Sequence, residues 1–253
     1  LGPFAPTGPP GAPLVPIGNT LFRPWFMPGG TVGSRVTNQD SNESWSVFGA
    51  GTYAFTDRLN GRAELRYSDD EKKRHIPKGM PDGSDARLKG SWGLLSWRTG
   101  LDYHLSDPWM VYGSVAYAEK PGKFDTGKVG VIVNVGPPAV VQQKLLAVEL
   151  NPETNLTYEI GAKGTVADGR LVLATAAYYT DWKDIVMPRT LVADPETGLP
   201  LDRPVGRDEN IGSADVWGIE FESSYKISDI WATNLGVSYT KSEFKNTKTA
   251  SFE

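Results

Sequence analysis

Cysteine is absent from the chain, and histidine occurs only twice, at His75 and His104. The first absence excludes a disulfide framework, a thiolate metal site and a cysteine nucleophile, and it fits any compartment. The second leaves no His-Glu-x-x-His pattern, so neither a metalloenzyme centre nor a cofactor is expected. Charge of one sign is also missing. Lys and Arg number 26 against 30 Asp and Glu, a net charge of −4, so there is no basic footprint for nucleic acid. No long apolar run exists. The most apolar window, Val129 to Val141, is interrupted by Asn134 and by Pro137-Pro138, and is too short for a helical span. The chain starts at Leu1 without a basic segment leading into an apolar one. The expectation is a removed leader, or a piece of something longer. Nucleophile elbows and phosphate loops are lacking. Gly49-Ala50-Gly51-Thr52-Tyr53-Ala54 superficially fits a dinucleotide pattern, but it lies within a strand pattern and opens no helix.

What is present is turn chemistry and aromatic rings: 28 Gly, 19 Pro and eight Trp among 253 residues. That mixture disfavours a helical bundle and favours many strands joined by turns. Residues 1–43 are Pro/Gly-rich and read as irregular, with one strand at most, near Thr20 to Met27. From Ser44 onward period 2 takes over. In Ile230 to Thr240, Trp231, Thr233, Leu235, Val237 and Tyr239 alternate with small and polar residues. Arg58 to Ser68, Leu95 to Leu105, Asn155 to Val166 and Trp217 to Lys226 repeat the pattern. Trp45 to Phe55 and Trp109 to Tyr117 fit with more Gly and Ala, while both faces of Leu171 to Trp182 are apolar. This gives about eight strands of roughly 10–13 residues, long by soluble standards. Short turns at 56–57, 106–108, 167–169 and 228–229 alternate with long loops at about 69–91, 120–152 and 183–210.

Alternation alone fits a soluble sandwich, with its apolar face inward, as well as a membrane barrel, with its apolar face in lipid. Three features favour the barrel. Strand lengths match a tilted bilayer crossing. Short and long connections alternate, as do periplasmic turns and extracellular loops. Aromatic residues such as Trp45, Tyr67, Trp92, Trp109, Tyr117, Trp182, Trp217 and Tyr239 gather near strand ends, as interfacial girdles do. The opposite face carries charges of both signs: Arg62, Glu64, Arg66, Arg98, Asp102, Glu159, Lys163, Glu220, Glu222 and Lys226. Glu220 and Glu222 form the spacing of paired catalytic carboxylates, but among these basic neighbours they read as part of a charged lumen wall. The long loops carry Lys73, Arg74, Arg87, Arg189, Arg203 and Arg207, candidates for capturing an anionic ligand. His75 reads as a solvated loop residue and His104 as lumenal.

Asn151-Pro152-Glu153-Thr154, then Tyr158-Glu159-Ile160-Gly161, then Asp168-Gly169-Arg170-Leu171, then Ala177 to Ile185 (AYYTDWKDI), resembles the central barrel of TonB-dependent outer-membrane receptors. Asn210 to Ala214 with Trp217 to Glu222, and Tyr112 to Phe124, are similar to neighbouring hairpins of that family. Lys123 stands where the family often has a second Gly, and Ser44 to Tyr67 matches more loosely. The resemblance covers about 44–244. It implies an all-β fold: an antiparallel up-and-down transmembrane barrel section, here eight or nine strands of a barrel of about 22. It implies residence in the bacterial outer membrane, contact with lipid and lipopolysaccharide, and active uptake of a scarce bulky nutrient, most naturally a ferric siderophore. TonB would be engaged through a plug that this chain lacks, and no covalent chemistry is expected. The alternatives are a self-contained small outer-membrane barrel, acting as a pore or in adhesion, and a soluble carbohydrate-binding β-sandwich.

Overall fold

The computed structural model describes residues 38–134, 136 and 138–245, together with the backbone of two short strands, β1 (Val15–Ile17) and β2 (Thr20–Phe22). The chain divides into two units, Leu1–Thr37 and Asn38–Glu253. In the first, β1 and β2 pair antiparallel. The rest of the strand expected near Thr20 to Met27 lies outside the described residues, as do residues 246–253.

The second unit is one antiparallel sheet of ten strands. They are β3 (Gln39–Ala54), β4 (Leu59–Ile76), β5 (Ala86–Ser106), β6 (Trp109–Lys120), β7 (Phe124–Asn134), β8 (Val140–Glu149), β9 (Glu153–Val166), β10 (Leu171–Ala193), β11 (Pro200–Lys226) and β12 (Ala232–Phe244). Each strand neighbours the next in sequence except at two steps, β6 to β7 and β8 to β9, because β7 pairs with β11. β6 pairs directly with β9, and the β7–β8 hairpin is inserted between them.

The tight turns follow from local chemistry. Thr56 Oγ1 accepts the backbone N–H groups of Arg58 and Leu59, closing the β3–β4 turn. Ala167, Asp168 and Gly169 all take positive φ between β9 and β10. Gly suits that conformation and Asp tolerates it, whereas for Ala167 it is uncommon.

Residues paired across an antiparallel ladder point to the same side, so the register fixes both faces. One row runs Thr52, Arg62, Gly100, Ser114, Glu159, Tyr178, Gly218, Thr240. The intervening row runs Gly61, Leu101, Gly113, Ile160, Ala177, Ile219, Tyr239. The sheet therefore has one polar and one apolar face. The apolar face is bare: Leu65, Leu101, Ile160, Ile219, Val237 and Tyr239 are all more than half exposed. A soluble sandwich would cover this face.

Aromatic–glycine pairs lock the register. Trp109 lies opposite Gly164 and Tyr112 opposite Gly161. A Cβ on Gly164 would sit 2.3 Å from the Trp109 ring, and one on Gly161 2.6 Å from the Tyr112 ring. The ring thus covers backbone that only glycine leaves open.

Three expectations need correction. The segments read as long loops are largely strand: β4, β5, β10 and β11 run to 18, 21, 23 and 27 residues, well past a bilayer crossing. Their true connections are residues 77–85 and 194–199. The third segment, 120–152, contains the β7–β8 hairpin, so the sheet has two strands more than the eight counted from period 2. Finally, Trp92 and Trp182 do not join the aromatic belt. Both fall on the polar face by register, opposite Asp70 and Ala214, and Trp92 is buried.

Candidate functional site

Trp92 is buried because the root of the β7–β8 hairpin lies on it. Leu88, Trp92 and Leu94 share the polar face of β5 with Arg98 and Asp102, and they pack with Phe124. The Trp92 and Phe124 ring centroids are 5.7 Å apart. Lys72 Nζ sits 5.4 Å from the centre of the Trp92 ring and donates to the Gly122 carbonyl at 2.7 Å. Arg74 grips both oxygens of Asp40, at 2.7 and 2.8 Å, and donates to the Phe124 carbonyl at 3.0 Å. The guanidinium holds the Asp40 carboxyl below its usual range.

The far side of the hairpin rests on β10 and β11. Val129, Val131 and Leu146 pack with Leu191, Leu201 and Val205. Polar ties flank this cluster. Lys123 pairs with Asp208 at 2.7 Å, and Asp125 accepts the Asp208 backbone N–H at 2.9 Å. Asn210 and Asn151 exchange two hydrogen bonds at the base. The hairpin is thereby held on the polar face from both sides.

Nearer the tip, Lys144 of β8 reaches both oxygens of Asp194 at 2.9 Å and Glu196 at 2.8 Å. The Asp194 side chain is 1% exposed. Burial pushes its carboxyl up, but Thr197, Lys144 and the Glu196 N–H outweigh it, and the balance lies below the ordinary value. A carboxylate depressed in the folded state contributes stability above its unfolded pKa of about 3.9 and loses it as pH falls through the folded value. Lys144, raised by the Glu196 and Asp194 carboxylates, loses its contribution only as pH rises past the ordinary lysine range. The protection factors of β8 amides, exchange corrected for its intrinsic pH dependence, should therefore be flat through neutral pH and fall on acidification below about 4. Asp194→Ala should weaken docking by about 2 kcal/mol, less than for a fully buried pair because Lys144 keeps Glu196.

The register places the ten charges on one face of the sheet. Arg62 stands in the polar row with Gly100, Glu159 and Gly218, and Glu64, Arg66, Arg98, Asp102, Lys163, Glu220, Glu222 and Lys226 lie at even steps from that row without an intervening register shift. Arg62 pairs with Asp102 at 3.3 Å. Arg62 Nε, Arg98 Nε and His104 Nδ1 are buried without a protein partner.

The six loop cations do not form one cluster. Lys73 and Arg87 project from the apolar-face side of β4 and β5, and both are exposed. Arg74 is on the polar face and engaged by Asp40. Arg189 and Arg207 are directly opposite each other on β10 and β11. Arg189 bonds Glu209 at 2.8 Å, Arg207 is buried, and Arg203 is exposed. His75 is no loop residue: it lies in β4, with Nε2 2.8 Å from Asp85 and Nδ1 3.2 Å from Gln39. No group of three or more His, Asp or Glu residues able to hold a metal occurs among the described residues.

Of the anchoring residues, Trp92 is assigned to the aromatic belt by sequence, and Lys72, Gly122, Asp125, Lys144 and Asp194 are absent from the sequence-based set of site residues. One signal pointed to them: Leu88, Trp92 and Leu94 interrupt the polar parity of β5, and something must cover them.

A meandering antiparallel sheet, apolar on one face, charged on the other and roofed by an inserted hairpin, is the wall of an outer-membrane-type β-barrel. Comparison with known proteins agrees. The family model described as "TonB dependent receptor-like, beta-barrel" matches residues 7–252, and the chain belongs to that family. It is 25% identical over 215 residues to the pesticin receptor of Yersinia enterocolitica, covering 83% of this chain and 28% of that relative. Among solved structures, the ferric yersiniabactin uptake receptor FyuA of Yersinia pestis aligns with a TM-score of 0.59 at 22% identity, over 83% of this chain and 28% of that one. The siderophore receptor PiuA of Acinetobacter baumannii aligns at 0.57 and 21% identity, over 81% and 26%. At these identities the two structures speak for the fold. The chain spans under a third of the length of these relatives.

Proposed function

We propose that this chain forms part of an outer-membrane receptor for active uptake of a ferric siderophore. The observation that carries the reading is the separation of faces: a bare apolar belt beside a wall of mixed charge, in a chain whose family comprises receptor barrels. The apolar face meets lipid and the polar face lines the lumen. The distal ends of β4, β5, β10 and β11, with the β7–β8 hairpin, stand at the cell surface, and the tight turns lie in the periplasm. Named relatives for yersiniabactin and other siderophores support the substrate class. Energy would arrive through TonB and a plug in the complete protein, and no covalent step is needed.

Arg189 and Arg203 are the capture candidates on the lumenal side, together with Arg74, whereas Arg207 is buried beneath the hairpin. Lys73 and Arg87 point the other way, where phosphates of lipopolysaccharide would be met. The test is uptake of radioactive iron by the native host under iron limitation, supplied as single purified ferric siderophores. Deleting the gene should abolish uptake of at least one, and the wild-type gene should restore it. Undiminished uptake of every ferric chelate offered would overturn the reading.

A further inference from the structure

Arg207 is 6% exposed, and its Nη2 is buried with no protein partner. No side-chain hydrogen bond or ion pair of Arg207 occurs among the described residues. Its cross-strand neighbour is another guanidinium, Arg189, which already occupies Glu209. The adjacent Asp208 is taken by Lys123. A buried guanidinium without a partner is costly, and folded proteins rarely leave one so.

Beside it, under the hairpin, is a small, partly open space of about 20 Å³ lined by Asp125, Thr126, Val129, Leu146, Val205 and Arg207. One water needs about 10–15 Å³ of such space, so the space is of the size of a single water. Asp125 supplies the acceptor. One of its oxygens accepts the Asp208 N–H, and the other carries no hydrogen bond among the described residues. A halide would meet the same carboxylate and be repelled.

We infer that one ordered water fills this space, accepting from Arg207 Nη2 and donating to Asp125. The pair becomes a solvent-bridged ion pair that ties β7 to β11 beside the apolar cluster. It adds a further polar tie between the hairpin and β11 to those made by Lys123 and by Asp125 at Asp208.

The test uses the full-length receptor. A high-resolution experimental structure should show one density peak within hydrogen-bond distance of Arg207 Nη2, and Arg207→Met should lose it. Hydrogen exchange of β7 supplies an independent reading. Arg207→Met and Asp125→Leu should each speed it about tenfold, and the double variant no more than the worse single, because both remove the same bridge. A space without density, or multiplicative effects near a hundredfold, would overturn the inference. So would a bromide soak that places an anomalous peak there, since the occupant would then be an anion. Heat-modifiable migration of each variant shows that the barrel has formed.

Discussion

Gly122→Ala should unseat the β7–β8 hairpin, with a loss of more than about 3 kcal/mol of docking stability. A Cβ at this position would lie 1.9 Å from the Leu150 carbonyl oxygen and 2.5 Å from Trp92 Nε1. Neither neighbour has room to withdraw. Leu150 is 2% exposed, and its N–H donates to Lys123 at 2.8 Å. Trp92 is pinned between Leu94, Phe124 and the Lys72 ammonium. The two chain crossings at the hairpin root therefore pass at backbone distance, and any side chain drives them apart. Hydrogen exchange over Phe124–Asn134 and Val140–Glu149 in the full-length protein should rise by two orders of magnitude or more, while the membrane strands keep their protection. Gly236→Ala is the control, because nothing lies within 4 Å of its added carbon. It should shift stability by less than about 0.5 kcal/mol. Protection unchanged in Gly122→Ala would mean that the hairpin root is not packed as described.

The second large effect concerns the face itself. Ile160 is 68% exposed, midway along the outward row of β9 between Tyr158 and Ala162. On a soluble protein Ile160→Arg would be close to neutral, because an exposed isoleucine has no packing to lose. In a bilayer the same change places a guanidinium near the midplane of the hydrocarbon, at a cost of about 2–4 kcal/mol. Folding of the full-length protein into lipid vesicles, followed by denaturant titration, reads the difference. Ser238→Arg should be tolerated within about 0.5 kcal/mol, because Ser238 faces the other way and lies opposite Glu220. Equal tolerance at both positions would remove the lipid-facing assignment.

These two sites also mark what a sequence can and cannot disclose. The face of Ile160 was legible, because period 2 holds without interruption from Asn155 to Val166 and the ladder preserves it from β3 to β12. Strand ends were not legible. Above the belt both faces become polar, so Asp69 to Arg74 looks like a loop although it continues as β4. The hairpin was hidden for another reason. Its apolar stretch, Val129 to Ile132, is only a few residues long, and its partners Leu191 and Leu201 lie far away in sequence. Arg207 was misread in kind. It reads as a cation of the long loop at about 183–210, whereas it lies within β11. Register shifts at Trp182, Ile185 and Val186 reverse the parity of the distal segment and turn Arg207, Val205 and Leu191 toward the hairpin. A bulge leaves no mark in composition, and parity cannot be carried across it.

The aromatic–glycine pairs set limits on how such a protein can change in length. One residue added within β9 would slide Gly161 from under Tyr112 and Gly164 from under Trp109 together, and turn every later side chain of the strand to the wrong solvent. Added residues in the tips at 77–85 or 194–199 disturb neither ladder nor ring. Mutational drift in length is thus confined to the outermost turns, where new surface shapes can accumulate while the wall below keeps its dimensions.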